Sequence, residues 1–509
     1  MTKTLEMLHD FVWGAPALVL TIGVGLYLSI RTGFAQFRLF PAAVRTFVRR
    51  FRPGSGGETG ISPFQALCTA LAATAGTGNL VGVAGAICIG GPGSIFWMWL
   101  CGLLGMATKY AEAALAVRYR VREGSEYLGG PMYMICHGMG EKWRWMGCVY
   151  SFFGIFAAFG VGNATQINSV ISGVNGVLCR FGGGETPTGN LIMGIFLALL
   201  VGAMLLGGAK RIGQTAERLV PAVSAGYILL CVGVLLLRLD RVPGAFCLIF
   251  EGALSPRAAT GGILGSAFQA LRVGCSRGVF TNEAGMGTAA IAHGSAEVNH
   301  PAEQGMMGIL EVFLDTILIC TLTALVILCS GVTIPYGCDV GGELTTQAFT
   351  SVWGDWVSVL LAGALCCFAF ATILGWGLYG IRCAWFLFGH RGMKLFALLQ
   401  TVTVAVSAVL KTETVWLLAE TVNGLMALPN LIALAYLSPE LIRLTREYTK
   451  RTGTKPVEVT YADFHQCKPL RTFSHEKVPS PGRCCKKEGQ EDLSSEHRPA
   501  RPAHSSSVL

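Results

Sequence analysis

The stretch Ala72-Ala-Thr-Ala-Gly-Thr-Gly-Asn79 decides how this chain is read, because it interrupts an otherwise apolar run from Phe64 to Gly90. Two glycines within three residues, among hydroxyl and amide side chains, make poor material for a continuous helix; each glycine costs about 1 kcal/mol relative to alanine in a helix interior. Inside a bilayer, the backbone groups freed by such a break are tolerated only where protein or a watery cavity satisfies them. A helix broken at membrane depth is therefore where a polar solute or an ion is expected to bind.

The rest of the chain supports a membrane setting. Of 509 residues, 52% are hydrophobic and only 14% charged, and the mean hydropathy is +0.53, which excludes an ordinary soluble domain. Apolar runs of bilayer-crossing length recur and predict eleven spans, near 9–30, 64–90, 93–117, 147–178, 190–208, 219–238, 262–292, 306–331, 356–380, 395–410 and 414–437. The first run is read as a retained helix rather than a signal peptide, since Glu6 and Asp10 precede it and no small-residue cleavage site follows. The net charge of +9 is spread over loops, not gathered in a nucleic-acid patch. The 18 cysteines include no C-x-x-C pair, and most sit in apolar spans as small hydrophobes.

Lys and Arg concentrate in the loops that follow odd-numbered spans; the first alone holds Arg31, Arg38, Arg45, Arg49, Arg50 and Arg52. The positive-inside rule then puts the N-terminus outside and the C-terminus in the cytoplasm. An amphipathic stretch near 37–51 is expected on the inner membrane surface. Beyond an N-terminal unit (1–63), the chain reads as two five-span halves, 64–238 and 262–438, joined by an extracellular loop at 239–261. Each half opens with an interrupted helix, at Gly76-Thr-Gly78 and at Gly274-Cys-Ser-Arg-Gly278, equally far from its start. Five spans per half forces opposite orientations, the arrangement of an inverted-repeat transporter. Residues 439–509 are polar and rich in Pro, Ser, Lys and Arg, and are expected to form a mostly disordered cytoplasmic tail.

The candidate chemistry sits at the two breaks. Thr74, Thr77 and Asn79 offer polar side chains at the first; half-helix N-termini attract a carboxylate, and unwound carbonyls suit a small cation. At the second, Arg277 and Glu283 either meet a ligand or pair to hold the segment. Lys109 with Glu112, and Glu311 with Asp315, at i,i+3 and i,i+4 spacing, read as interhelical ties or gate contacts rather than substrate ligands. Asn163 and Gln166 are three apart, hence on one helical face, and either read a ligand or bond neighbouring helices. Thr372 and Trp376, four apart, offer a hydroxyl for a cation and an indole that either caps a pocket or packs the core. No nucleophile–base pair, metal set or cofactor fingerprint suggests an enzyme. A transporter-fold sensor signalling through the tail is the rival class.

Several long motifs resemble the alanine/glycine:cation symporters (the sodium:alanine symporter family): TALAATAGTGNLVGVAGAICIGGPGSIFWMWLCGLLGMATKYAEAALAVRYR from Thr69, GGPMYM at Gly129–Met134, GNATQINS at Gly162–Ser169, SRGVFTNEAGMGTA at Ser276–Ala289 and FATILGWGLYG at Phe370–Gly380. The resemblance extends from the first span to about residue 445. It implies an all-α membrane protein with the leucine-transporter-type 5+5 inverted repeat plus one N-terminal helix, importing small neutral amino acids with sodium or, in some members, protons. By position it implies that Thr77 and Gly78 meet the substrate carboxylate, with Asn79 lining the same break, and that Gln166 contacts the amino acid from the fourth span, where Asn163 is a further substrate candidate by its shared face. The backbone at Gly274, Ser276 and Gly278 would face the amino group, and Trp376 would limit side-chain size. Sodium would take carbonyls near Ala72 and Ala75 and the Thr372 hydroxyl. Two departures stand out: Ala371, where members commonly carry Ser, removes one cation oxygen and leaves protons as the alternative, and Gly377 replaces an often larger residue.

Overall fold

The computed structural model describes residue 7 and residues 15–50, 61–124, 126–254, 267–338, 341–409 and 412–452. Helices account for nearly all of it. The principal ones, in chain order, are α1 (Ala15–Arg31), α2 (Phe40–Arg50), α3 (Pro63–Thr74), α4 (Gly78–Gly90), α5 (Ser94–Arg118), α6 (Glu141–Arg180), α7 (Pro187–Leu205), α8 (Gly208–Leu237), α9 (Val242–Leu254), α10 (Ala267–Asn282), α11 (Thr288–Gly294), α12 (Pro301–Ser330), α13 (Gly342–Trp353), α14 (Val357–Ser407), α15 (Thr412–Tyr436) and α16 (Ser438–Thr452). One antiparallel hairpin, Val121–Glu123 with Glu126–Leu128, joins α5 to the next segment.

Among the described residues, seven helices are long and apolar enough to cross a membrane, and the bent pair α3–α4 makes an eighth. α1 is apolar but shorter. α14 runs 51 residues and absorbs two of the expected spans, turning at Gly389, whose φ of 66° only glycine adopts without strain. The chain is thus a multi-pass membrane protein. Lipid tails are as apolar as leucine, so packing rather than water exclusion holds such helices together, and the centre of the bundle is correspondingly dense: Trp376, Tyr110, Tyr150 and Lys109 are all fully buried.

Three expectations need correction. The proposed extracellular loop 239–261 contains helix α9, whose side chains Ala245 and Ile249 are buried. The chain after Leu437 does not lose structure at once: α16 continues to Thr452, with Leu441 and Leu444 buried. Its Ser, Leu and Tyr positions recur at helical spacing inside a charged sequence, which mean composition conceals. The remainder of the expected tail, together with 51–60 and 255–266, lies outside the described residues.

The third correction concerns the second break. Residues 274–278 lie within α10, which is helical from Ala267 to Asn282. Gly274 is there for close approach: a Cβ on it would lie 2.3 Å from the Ser94 carbonyl oxygen of α5, and one on Gly278 would press on Met98 and Cys101. The backbone turns only afterwards, at Glu283 (φ 52°), Gly285 (φ 94°) and Gly287 (φ 78°). The paired glycines signalled packing, and the later Asn-Glu-Ala-Gly-Met-Gly run carried the break.

Candidate functional site

α3 begins with a reciprocal cap, Ser62 Oγ accepting from the Gln65 amide and Gln65 Oε1 accepting from the Ser62 amide. It ends where Ala75 takes a non-helical ψ of 85°. α4 starts with a wide turn over Gly78–Gly82, and the two axes meet at 49°. Across the turn, the Asn79 amide bonds back to the Gly76 carbonyl at 3.3 Å. The first amides of a helix have no partner within it, and here Thr77 and Gly78 line a cavity of about 650 Å³.

That cavity runs from the surface to the break. At its outer end Arg180 pairs with Asp355 (3.1 Å) and Glu343 (3.7 Å), whose side chains are 69% and 55% exposed; at its inner end Thr77 is 1% exposed. Between them Arg277 Nη1 of α10 stands 3.6 Å from Glu420 Oε1 of α15, so Arg277 pairs across the cavity rather than with Glu283. α12 connects this face to the other one. Its start lies against α16 through the His300–Tyr448 ring contact, and its end leads to α13 at the cavity mouth. On the α16 face the bundle is tied shut by Arg118–Glu440 (2.7 Å), Tyr110–Thr445 (2.9 Å) and Tyr27–Ser438 (2.9 Å). The bonds from Arg443 and Arg118 hold the Glu440 carboxyl down at about 2.

Of the three residues expected at a cation site, Thr372 and Ala72 meet directly. Thr372 Oγ1 on α14 donates to the Ala72 carbonyl at 2.9 Å, with the Phe368 carbonyl at 3.0 Å as its alternative acceptor. Turning the single hydroxyl proton onto Phe368 frees lone pairs on both Thr372 and Ala72, as a hard monovalent ion requires. Ala75 follows one turn later at the end of α3. Gly76 leaves the space, since a Cβ there would lie 2.6 Å from Thr372 Oγ1. One residue on, Thr77 Oγ1 donates to Gln166 Oε1 (3.2 Å), while Gln166 Nε2 is held by the Val161 carbonyl (3.1 Å).

Other expected residues point elsewhere. Asn79 Nδ2 turns from the cavity to Asp315 Oδ1 (2.7 Å) and its carbonyl (3.2 Å). Asn163 donates to the Gln400 carbonyl at 3.0 Å, on the far half of α14. Its spacing from Gln166 misleads because Gly160–Ala164 is a wide turn, which rotates the face that a 3.6-residue period would assign. Gly274, Ser276 and Gly278 are absent from the cavity wall, which takes Arg277 and Phe280 from α10 instead. Trp376 is fully buried and also outside that wall; its ring covers Gly162, and its Nε1 donates to Glu283 Oε1 at 3.0 Å.

At the second break the chain satisfies itself. Amides of Gly285 and Gly287 donate to Glu112 Oε1 at 2.9 and 3.0 Å, and Asn430 Nδ2 joins them at 2.8 Å. Thr288 Oγ1 donates to Glu283 Oε2 at 2.6 Å. Nearby, Lys109 Nζ contacts Glu311 Oε1 at 2.7 Å, and His293 Nε2 lies 2.9 Å from Glu311 Oε2. These charged residues act as interhelical ties, as their spacing suggested. Sequence reasoning missed Glu420 and Arg180; Arg180 stands just past a span end, and Glu420 is the one charged residue within the span 414–437.

Comparisons with known proteins bear on the family and the fold. The profile of the sodium:alanine symporter family matches residues 1–461. The sodium/alanine symporter AgcS of Methanococcus maripaludis is 40% identical over 453 residues, covering 88% of this chain and 97% of that protein. The putative sodium/proton-dependent alanine carrier YrbD of Bacillus subtilis is 32% identical over 505 residues, covering 94% and 99%. Among solved structures, MhsT in complex with L-phenylalanine superposes with a TM-score of 0.53 at 14% identity, covering 77% of this chain and 99% of that one; the likeness shows a leucine-transporter-type fold. The chain belongs to the sodium:alanine symporter family, a family of transporters and not of enzymes.

Proposed function

We propose that this protein imports small neutral amino acids, alanine or glycine, by sodium-coupled symport with alternating access. The observation that carries the reading is the meeting of the Thr372 hydroxyl with the Ala72 carbonyl, five residues before Thr77, which lines the buried end of the cavity and donates to Gln166 behind it. A zwitterion's carboxylate takes the Thr77 hydroxyl and the amides at the start of α4, where the helix dipole is positive. Sodium takes the carbonyls that end α3 with Thr372. Each charge then stabilises the other, and by linkage each raises the other's affinity equally. Gln166 orients the substrate, and Trp376 acts at one remove by backing the turn that holds Gln166.

The eleven-span, inverted-repeat organisation is part of this proposal. So is the orientation: with the basic loops cytoplasmic, the cavity faces outside and α16 closes the inner side. Substrate and ion enter past Arg180, the Arg277–Glu420 pair closes above them, and release requires α16 to loosen from Arg118 and Tyr110. Ala371 favours a second reading, proton coupling, since one potential sodium oxygen is missing. Uptake of labelled alanine into proteoliposomes separates the two. An inward sodium gradient at equal pH drives accumulation if sodium is coupled; accumulation driven only by a proton gradient assigns the protein to the second reading.

A further inference from the structure

A second large cavity, about 690 Å³, lies on the outside of the bundle between α7, α8 and α14. Leu200 and Met204 of α7, Leu219 of α8 and Phe370 of α14 wall it, and Arg211 and Arg218 of α8 stand at one end. Arg211 and Arg218 are seven residues apart, so they share a face about 10 Å apart along the helix. Both are exposed. Arg211 Nη1 reaches the Ala203 carbonyl at 3.0 Å, which fixes it at the rim; Arg218 has no hydrogen bond or ion pair among the described residues.

The sequence places this rim at the membrane interface. After Arg218, α8 carries no charged residue up to its end at Leu237, so hydrocarbon begins at about Leu219. The groove therefore has cationic hydrogen-bond donors at headgroup depth and apolar walls running towards the midplane. Basic pockets between helices with apolar walls suit anionic lipid. We infer that this groove binds a phospholipid with an anionic headgroup, its phosphate between Arg211 and Arg218 and an acyl chain along Leu200, Leu219 and Phe370. The occupant is a lipid rather than a soluble anion because most of the lining is apolar and would otherwise face hydrocarbon unfilled. The site lies behind the cation ligands: Phe370 and Thr372 are two residues apart, on opposite faces of α14.

The test uses the full chain in nanodiscs carrying a photoactivatable lipid, either phosphatidylglycerol or phosphatidylcholine, with labelled peptides mapped by mass spectrometry. Labelling on the α7 and α14 walls should favour phosphatidylglycerol by about threefold or more, and the Arg211→Gln/Arg218→Gln variant should bring the ratio to parity while Arg211→Lys/Arg218→Lys keeps it. Should the glutamine variant fail to fold, the unmodified protein decides: the preference should fall as salt rises from about 0.05 to about 0.5 M and should resist millimolar inorganic phosphate. Equal labelling by both lipids, a preference that survives the glutamine variant, a preference indifferent to salt, or displacement by free phosphate would each overturn the assignment.

Discussion

The two backbone interruptions differ in who satisfies them. At the second, Glu112 Oε1 accepts the amides of Gly285 and Gly287, and Asn430 Nδ2 donates to the same oxygen and to the Gly285 carbonyl. At the first, Thr77 and Gly78 open onto the cavity, and the Thr372 hydroxyl that meets the Ala72 carbonyl has the Phe368 carbonyl to turn to. A broken helix is thus not by itself a binding site. Where the protein supplies its own carboxylate the break is a lock, and where it leaves amides and carbonyls to a watery cavity the break can take cargo.

The largest expected effect comes from removing the lock. Glu112→Ala leaves the buried amides of Gly285 and Gly287 without their acceptor, at roughly 1–3 kcal/mol per buried group, while Asn430 keeps only the Gly285 carbonyl, and should lower the thermal unfolding midpoint in detergent by many degrees. An unchanged midpoint would show that the second break is satisfied some other way. Next, Gly76→Ala forces a Cβ to within 2.6 Å of Thr372 Oγ1; sodium-dependent alanine uptake should fall at least about tenfold, which is about 1.4 kcal/mol, with stability nearly unaltered. If stability collapses instead, the turn is a packing element like Gly274.

Gly274→Ala sharpens the contrast from the other side. Its Cβ meets the Ser94 carbonyl oxygen at 2.3 Å, so stability should fall by about 1–3 kcal/mol while the KM for alanine in surviving protein stays put. A changed KM with unchanged stability would restore the substrate role that the motif implied. The smallest effect concerns the inner seal. Glu440 sits at about 2 against an ordinary 4.5 because Arg443 and Arg118 bond its carboxylate. A depressed carboxyl stabilises docking above its unfolded value and loses that contribution as pH falls towards the folded one. Amide protection in α16, measured as exchange corrected for its intrinsic pH dependence, should therefore be flat above pH 5 and fall between about pH 4 and pH 2; protection that falls on raising the pH instead would contradict the pairing.

How much was legible in the sequence follows the same division. The first break was readable because Gly-Thr-Gly-Asn interrupts an apolar run, and Thr372 with Ala72 followed from the family motif. Gly274 and Gly278 misled because a glycine pair in a membrane helix announces close packing as readily as unwinding, and only the Ser94 carbonyl on the facing helix tells which. Asn163 failed for a local reason: the wide turn at Gly160–Ala164 breaks the 3.6-residue period. The cross-cavity Arg277–Glu420 pair was invisible because nothing in sequence spacing links residues so far apart.

The most direct test of the account is equilibrium binding of labelled alanine to the purified protein across a sodium series, with Thr372→Ala and Thr372→Ser beside it. The account predicts that sodium tightens alanine binding and alanine tightens sodium binding by one common factor, that Thr372→Ala abolishes this coupling, and that Thr372→Ser keeps it. Alanine affinity that ignores sodium, or full coupling in Thr372→Ala, would contradict the claim that the first break holds both.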